Sequence, residues 1–193
     1  MCGIVGYVGT KNVPGRAHFA LDVVLEGLRR LEYRGYDSAG IAVLDEGKIS
    51  FRKKAGKVAA LDEVIAADPL PQAVVGIGHT RWATHGGPTD ANAHPHVVDG
   101  GKLAVVHNGI IENFAELKTE LAEKGYTFKS ETDTEVAATL LSDFMHGAGE
   151  GDLTESMRLT CNRLEGAFTL LALHTDFPDR IVAARRNSPL VIG

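Results

Sequence analysis

Hydrophobic positions along the 193-residue chain form two kinds of pattern, one with helical spacing and one of short apolar runs. In four segments, apolar residues recur every three or four positions, which predicts amphipathic helices packed on one face. These predicted helices lie near residues 19–31, 114–121, 130–145 and 154–164. Short apolar runs predict strands, which have the sequences IVGYV, SAGIAVL, KISFRK, AVVGIGH, KLAVVHN, AFTLLALH and RIVAAR.

The connections between the predicted strands indicate how the strands pair. Turn sequences such as DEGK, VDGGK and DFPD join several of them, and such short turns imply antiparallel pairing. Helices that flank mostly antiparallel strands fit a layered sandwich better than an alternating parallel sheet. Because the chain shows no internal repeat and no low-complexity linker, we expect a single α+β domain.

The composition is that of an ordinary globular domain, with 44% hydrophobic and 23% charged residues. A net charge of −5 gives no general attraction to nucleic acid or to a membrane surface, so neither partner is expected. Two cysteines cannot form a multi-bridge framework, and no run approaches the roughly 18 apolar residues of a membrane span. Since the chain begins without a charged and then apolar leader, a cytoplasmic location is expected. Its end, the strand-like NSPLVIG, favours a domain cut from a longer polypeptide.

The first residues place a thiol directly behind the initiator methionine. Because Cys2 is small, removal of Met1 is expected, and Cys2 would then carry a free α-amine beside its thiol. An α-amine has a pKa of about 7.7 to 8.0, so it can accept the thiol proton near neutral pH. Residues 1–10 alone favour the alternative, an ordinary buried cysteine in the first strand.

The segment GHTRWATHGGPTDANAHPH has neither helical nor strand period, which predicts a functional loop. Arg81 could grip a carboxylate with its planar guanidinium, or form a structural salt bridge. Trp82 could line a pocket or belong to the core. Five histidines between positions 79 and 107 raise the possibility of a metal site, but they lack HExxH spacing and matching cysteines, so no metal is expected and structural hydrogen bonds are favoured.

Two further positions have both a structural and a chemical interpretation. Asn108-Gly109 follows a predicted strand, and Asn-Gly by itself indicates a tight turn. A side-chain amide beside an accessible backbone N–H could instead form an oxyanion hole. Asp133 lies near a helix start, where a carboxylate favours the helix dipole, and it could equally bind a substrate ammonium.

The motifs are specific when they are taken together. Cys-Gly-Ile, RRLEYRGYDSAG, GHTRWATHG, NAHPH, HNGIIEN and SETDTE occur in this order, from Cys2 onward. They resemble the glutaminase domain of the glutamine–fructose-6-phosphate aminotransferases (isomerising), or glucosamine-6-phosphate synthases, which are class II glutamine amidotransferases. This resemblance implies the N-terminal-nucleophile hydrolase fold, a four-layer αββα sandwich of two antiparallel sheets.

The resemblance also implies roles for individual residues. Cys2 is expected to be the nucleophile, with its own α-amine as the base. Asn108 and Gly109 are expected to form the oxyanion hole. Arg81 is expected to hold the glutamine carboxylate, and Asp133 its α-amine.

A further set of residues is implied to lie around the substrate rather than at the reacting atoms. Trp82, Thr84 and His85 match the substrate-adjacent loop of the family, while Arg34 and Tyr36 match a second stretch near the site.

The implied reaction is acyl transfer without a cofactor. The Cys2 thiolate attacks the side-chain carbonyl of L-glutamine, ammonia leaves, and the γ-glutamyl thioester is hydrolysed to glutamate. In the whole enzyme, a homodimer, the ammonia would reach C-terminal sugar-isomerase domains that convert fructose 6-phosphate to glucosamine 6-phosphate in hexosamine biosynthesis. Residues 2–193 would be the glutaminase domain, shortened at its C-terminal end and lacking the isomerase domains.

Other families remain as alternatives. Amidophosphoribosyltransferase, glutamate synthase and asparagine synthetase have glutaminase domains of the same fold and resemble the chain at its CGI start, but RRLEYRGYDSAG and HTRWATHG favour the hexose-phosphate enzymes. An alternative from a different class is a non-catalytic binding module in which Cys2 belongs to the core.

Overall fold

The computed structural model describes residues 2–10 and 19–193, so the predicted removal of Met1 lies outside the described residues. These residues form eight strands and five α-helices. The strands are β1 (Gly3–Val8), β2 (Ser38–Asp45), β3 (Lys48–Ala55), β4 (Val75–Arg81), β5 (His96–Val98), β6 (Leu103–Ile111), β7 (Gly166–His174) and β8 (Val182–Arg186). The helices are α1 (Ala20–Leu31), α2 (Val58–Ala67), α3 (Phe114–Glu123), α4 (Asp133–His146) and α5 (Leu153–Arg163).

The strands form two antiparallel sheets. The first has the strand order β1-β4-β2-β3, and the second has the order β5-β6-β7-β8. The predicted DEGK turn closes the hairpin between β2 and β3, where Asp45 pairs with Lys48. Across β1 and β4, Gly3 pairs with Thr80, and this register brings the start of the chain beside the end of β4.

Three hydrophobic clusters separate four layers. Val24 and Leu28 of α1 pack with Ile41 of β2, between the helices α1 and α2 and the first sheet. Ile77 of β4 shares a second cluster with Val106 of β6, between the two sheets. A third cluster joins the other face of the second sheet to α3, α4 and α5. This arrangement confirms the predicted four-layer αββα sandwich.

The structure differs from the expected elements in three places. Helix α2 has no predicted counterpart, because its apolar residues leave little polar contrast around the helix. Both ends of the segment predicted as a loop lie in strands, because β4 continues through residues 78–81 and β5 begins at His96. Strand β6 continues through Asn108 and Gly109, so the turn interpretation of that dipeptide is wrong: Asn108 pairs with Thr169 of β7. Ladder hydrogen bonds to β7 outweigh the local turn preference.

The start of α4 shows half of a capping box, the motif that the spacing of Thr132 and Glu135 indicates. Thr132 Oγ1 accepts a hydrogen bond from the Glu135 N–H at 3.3 Å, as expected for an N-cap. The Glu135 carboxylate, however, accepts from the Lys129 and Ser130 N–H groups rather than from Thr132. It therefore holds the loop that leads into the helix, which places the first turn of α4 against β6.

Candidate active site

A pocket of about 330 Å³ lies where the start of β1, the end of β4, the C-terminal half of β6 and the first turn of α4 meet. Both sheets contribute to it, so its walls come from positions far apart in the sequence. Eight residues that the sequence analysis singled out line this pocket: Cys2, Arg34, Arg81, Trp82, Thr84, Asn108, Gly109 and Asp133.

The Cys2 thiol is held against the backbone at the end of β4. The main-chain N–H of Trp82 donates a hydrogen bond to Cys2 Sγ at 3.1 Å. Burial raises the pKa of the Cys2 thiol, and the hydrogen bond with the Trp82 backbone opposes this rise in part. The protonated thiol is therefore the resting form at neutral pH, and the thiolate needs a base to form.

Asn108 reaches Cys2 from the second sheet. Its Nδ2 donates to the main-chain carbonyl of Cys2 at 3.1 Å. Gly109 follows with φ +126°, a conformation that favours glycine, and a Cβ there would collide with the carbonyl oxygen of Ala167. The strand thus keeps a side-chain amide and a side-chain-free backbone segment next to each other on the pocket wall.

Asp133 is the first residue of α4 and its side chain is buried. Its Oδ2 accepts a hydrogen bond from the Ile111 N–H at 3.0 Å, which ties the helix start to the end of β6. His107 Nδ1 lies 3.8 Å from Oδ1. The helix N-terminus favours negative charge at this position, so a carboxylate is well placed to bind a cation in the pocket.

Arg81 ends β4 and donates hydrogen bonds to the loop that follows. Its Nη1 donates to the Gly87 carbonyl at 3.1 Å, and its Nη2 donates to the carbonyls of His85 and Gly86. Within the described residues the guanidinium bonds to neutral carbonyls rather than to a carboxylate, so the salt-bridge interpretation is not what this part of the chain shows. Burial lowers the pKa of Arg81, and the Asp133 charge opposes this shift in part.

The remaining predicted residues divide into two groups. Thr84 and Arg34 line the pocket. Tyr36 and His85 do not line it, but they contact residues that do. Tyr36 packs edge-on against Trp82, with 5.4 Å between ring centroids. The His85 ring packs on Phe114, and its carbonyl accepts from Arg81. Both residues thus support groups that line the pocket.

Eight pocket residues had no predicted role. Three of them are histidines, and a signal for these was present in the histidine-rich sequence between positions 79 and 107. Three others flank predicted residues within the HNGIIEN and SETDTE motifs, and the last two follow β8 without a distinctive pattern. The eight are His79, His94, His107, Ile110, Thr132, Thr134, Ser188 and Pro189.

Four histidines form a buried cluster beside the pocket: His79, His94, His96 and His107. Burial lowers the pKa of each of them, to about 3 for His79, so all four rings are neutral at neutral pH. They make hydrogen bonds, as the structural interpretation expected, but three of them, His79, His96 and His107, lie in strands rather than in a loop. His107 Nδ1, for example, lies 2.9 Å from Thr134 Oγ1.

Two other kinds of site are absent from the described residues. In residues 2–10 and 19–193, no three His, Cys, Asp or Glu side chains are grouped so as to hold a metal ion. Over the same part of the chain, no helix is both long and apolar enough to cross a bilayer.

Comparison with known proteins assigns the family. Residues 79–191, more than half of the chain, match the model of the glutamine amidotransferase domain. The chain belongs to this family. The glutamine amidotransferase resemblance drawn from the motifs is thereby confirmed.

Curated relatives of this glutamine amidotransferase domain extend well beyond it. The chain is 74% identical over its full 193 residues to glutamine–fructose-6-phosphate aminotransferase [isomerizing] of Corynebacterium diphtheriae and covers 31% of that protein. It is 63% identical to the same enzyme of Streptomyces coelicolor and 53% identical to that of Mycobacterium bovis, again over the whole chain and 30% of each relative. The chain thus spans about a third of the length of the curated relatives it matches.

Two solved structures share the fold at 28% identity and cover 90% of the chain. The allosteric regulatory enzyme of purine biosynthesis aligns with a TM-score of 0.75, over 36% of its own length. The glutamine phosphoribosylpyrophosphate amidotransferase of B. subtilis aligns with a TM-score of 0.69, over 35% of its length. The much higher identity to the aminotransferases favours them over the amidophosphoribosyltransferase alternative.

Proposed function

We propose that the chain is a glutaminase that hydrolyses L-glutamine to glutamate and ammonia through a thioester on Cys2. The observation that carries the proposal is the 3.1 Å hydrogen bond from Asn108 Nδ2 to the Cys2 carbonyl, which holds the carboxamide beside the thiol. The same pocket contains Arg81 and Asp133. A cation and an anion in one pocket suit the α-carboxylate and the α-amine of an amino acid.

Activation of the thiol is proposed to require removal of Met1. Because burial raises the pKa of the Cys2 thiol, a base must take its proton before attack. His79 and His107 are the nearby imidazoles of the cluster, but burial lowers the pKa of each ring and so makes it a weak base. Each ring also contacts another side chain through one nitrogen, Asn108 for His79 and Thr134 for His107. The α-amine of a mature Cys2 is covalently attached to the same residue and is therefore the base that we propose.

The reaction follows from these positions. The α-amine takes the thiol proton, and Sγ attacks the side-chain carbonyl carbon of glutamine. The resulting oxyanion is held by N–H groups of Asn108 and Gly109. The intermediate collapses when the α-ammonium returns its proton to the leaving nitrogen, which releases ammonia and leaves a γ-glutamyl thioester. Water then attacks the thioester, gives its proton to the α-amine, and frees glutamate and the thiol.

The destination of the ammonia is proposed from the curated relatives. Residues 2–193 would be the glutaminase domain of a glutamine–fructose-6-phosphate aminotransferase, since the chain is 74% identical to one relative over about a third of its length. Sugar-isomerase domains beyond this chain would receive the ammonia and form glucosamine 6-phosphate for hexosamine biosynthesis. We propose that the full-length enzyme is a cytoplasmic homodimer.

Glutamate release from glutamine tests the proposed glutaminase. Intact mass would first confirm that Met1 has been removed, and glutamate release would then be measured on the purified protein. We expect turnover that Cys2→Ala abolishes and that Cys161→Ala retains. Glutamine binding without glutamate release by the processed protein would instead support a binding module and refute the glutaminase.

A further inference from the structure

His79 of the first sheet contacts the amide of Asn108 in the second sheet. The His79 Nε2 lies 2.9 Å from Asn108 Oδ1, and Asn108 Nδ2 donates to the Cys2 carbonyl. A carbonyl oxygen can only accept, so the NH₂ end of the amide faces Cys2 and Oδ1 faces His79. The proton of the neutral His79 ring must therefore be on Nε2.

The His79 ring is held in one orientation. Burial lowers its pKa to about 3, so the ring stays neutral and carries one proton over the physiological range. It stacks on His94 with 4.1 Å between centroids and an angle of 27° between the planes. His94 is itself held, because its Nδ1 accepts from the His107 N–H at 3.3 Å. The Nε2–H of His79 thus has little freedom to leave Asn108.

The orientation of the Asn108 amide matters because an Asn side chain has two similar orientations about its last torsion. In the observed orientation, one N–H bonds to Cys2 and the second N–H is left for an oxyanion. In the flipped orientation, Oδ1 would face both the Cys2 carbonyl and the developing negative charge. A flipped amide would also place its NH₂ against His79 Nε2, which could accept only if the ring proton moved to Nδ1, a buried nitrogen with no hydrogen-bond partner among the described residues.

We propose that His79 is a positioning residue: its Nε2–H holds the Asn108 carboxamide in the orientation that directs an N–H to the oxyanion. This inference rests on the proposed glutaminase function, since the oxyanion forms only during glutamine hydrolysis. His79 neither contacts the reacting atoms nor transfers a proton in this role. It acts through Asn108 alone.

Kinetics of two His79 variants test this role. His79→Leu removes the donor, and kcat is expected to fall about 10-fold to 100-fold with little change in the glutamine KM. His79→Gln offers an amide N–H near the position of Nε2 and is expected to recover most of kcat. His174→Leu is the matched control: it removes another buried imidazole, next to Asp99 and Phe177, and is expected to keep kcat.

A double-mutant cycle separates positioning from a general effect on packing. If His79 acts only through Asn108, then His79→Leu should change kcat by less than about twofold in an Asn108→Ala background. Losses that multiply in the double variant would overturn the inference. A His79→Leu variant with wild-type kcat would also overturn the inference. Either result would leave the proposed glutaminase standing, because that proposal depends on Cys2 and Asn108 and not on His79.

A spectroscopic measurement keeps the inference testable if His79→Leu does not fold. Histidine ¹⁵N–¹H correlation spectra of the wild-type protein report the tautomer directly and require no activity. We expect a neutral His79 ring protonated at Nε2 near neutral pH. A ring protonated at Nδ1, or one that is positively charged, would overturn the inference.

Discussion

The main-chain N–H of Trp82 donates to Cys2 Sγ, although the two residues are 80 positions apart in the sequence. The register of β1 against β4 brings them together. Asp37 supports this segment from the neighbouring strand region, because its N–H donates to the Arg81 carbonyl and its carboxylate accepts from the Ala83 N–H at 2.8 Å. The thiol of Cys2, the proposed nucleophile, is thus held against the end of β4, and the Trp82 N–H would also stabilise its thiolate.

Covalent labelling should distinguish the two cysteines. A glutamine-like electrophile is expected to add one label per chain, at Cys2, because only Cys2 lies in the pocket with Arg81 and Asp133. Burial raises the pKa of both thiols, so selectivity must come from binding and from the adjacent base. Mass spectrometry of a digested sample locates the label. Modification at Cys161 would contradict the assignment of the nucleophile.

Replacement of Arg81 should affect glutamine binding more than the chemical step. Arg81→Lys removes the planar guanidinium, and we expect the glutamine KM to rise about 10-fold or more with a smaller change in kcat, because a clamp on the distant carboxylate binds ground and transition states about equally. Steady-state kinetics check this. Stability should also fall by roughly 1–3 kcal/mol, since the carbonyls of residues 85–87 lose their partner.

Asp133→Asn is the complementary change at the other end of the substrate. Asn retains an acceptor for the Ile111 N–H, so the fold should survive, while the charge that we propose binds the α-amine is lost. We expect a higher KM here as well. A severe loss of kcat at unchanged KM, in either variant, would show that the residue acts on the reacting centre and that the substrate lies the other way round.

Gly109→Ala should destabilise the protein strongly. Its φ of +126° is strained for alanine, and the new Cβ would collide with the backbone at Ala167. We expect a loss of about 3–5 kcal/mol in the free energy of unfolding. Gly101→Ala is the matched control, because Gly101 has φ +98° with nothing within 4 Å of an added Cβ.

Urea unfolding compares the two glycine variants. The control Gly101→Ala should lose only about 1–2 kcal/mol in the free energy of unfolding, the cost of placing alanine at a positive φ. Equal losses in the two variants would mean that β6 relaxes around Gly109, and that close packing against β7 does not require a glycine there.

Acid should destabilise the fold through the buried histidine cluster. For His79, His94, His96 and His107, burial lowers the pKa below that of the unfolded chain, for His79 to about 3. Below about pH 6.5 the unfolded chain therefore binds protons that the folded protein does not, and stability falls as pH falls. Each histidine contributes up to about 1.4 kcal/mol per pH unit to the change in the free energy of unfolding.

Urea unfolding at several pH values between about 5 and 7.5 measures this slope. His79→Gln removes one of the four titrating groups. It should reduce the slope of the unfolding free energy against pH by up to about 1.4 kcal/mol per pH unit. Stability that is constant, or that rises toward acid, would contradict neutral buried rings.

The secondary structure followed closely from local patterns. Helix α4 begins after Thr132 because a cap joins residues three positions apart, and the DEGK hairpin depends on four consecutive residues. Short apolar runs likewise placed most strands to within a few residues. The local pattern gave the wrong prediction at Asn108 and Gly109, where it indicated a turn. Both residues pair with β7, and hydrogen bonds to a strand distant in the sequence do not enter a local turn preference.

The pocket itself depended on tertiary structure. The motifs indicated eight of the residues that line the pocket, but Cys2, His79 and Asn108 meet only because two sheets stack face to face. Sequence spacing carries no information about the distance between sheets, so the contact from His79 to Asn108 could not be predicted. The packed interior also decided the charge state of the histidines, because desolvation depends on what surrounds a ring rather than on its neighbours along the chain.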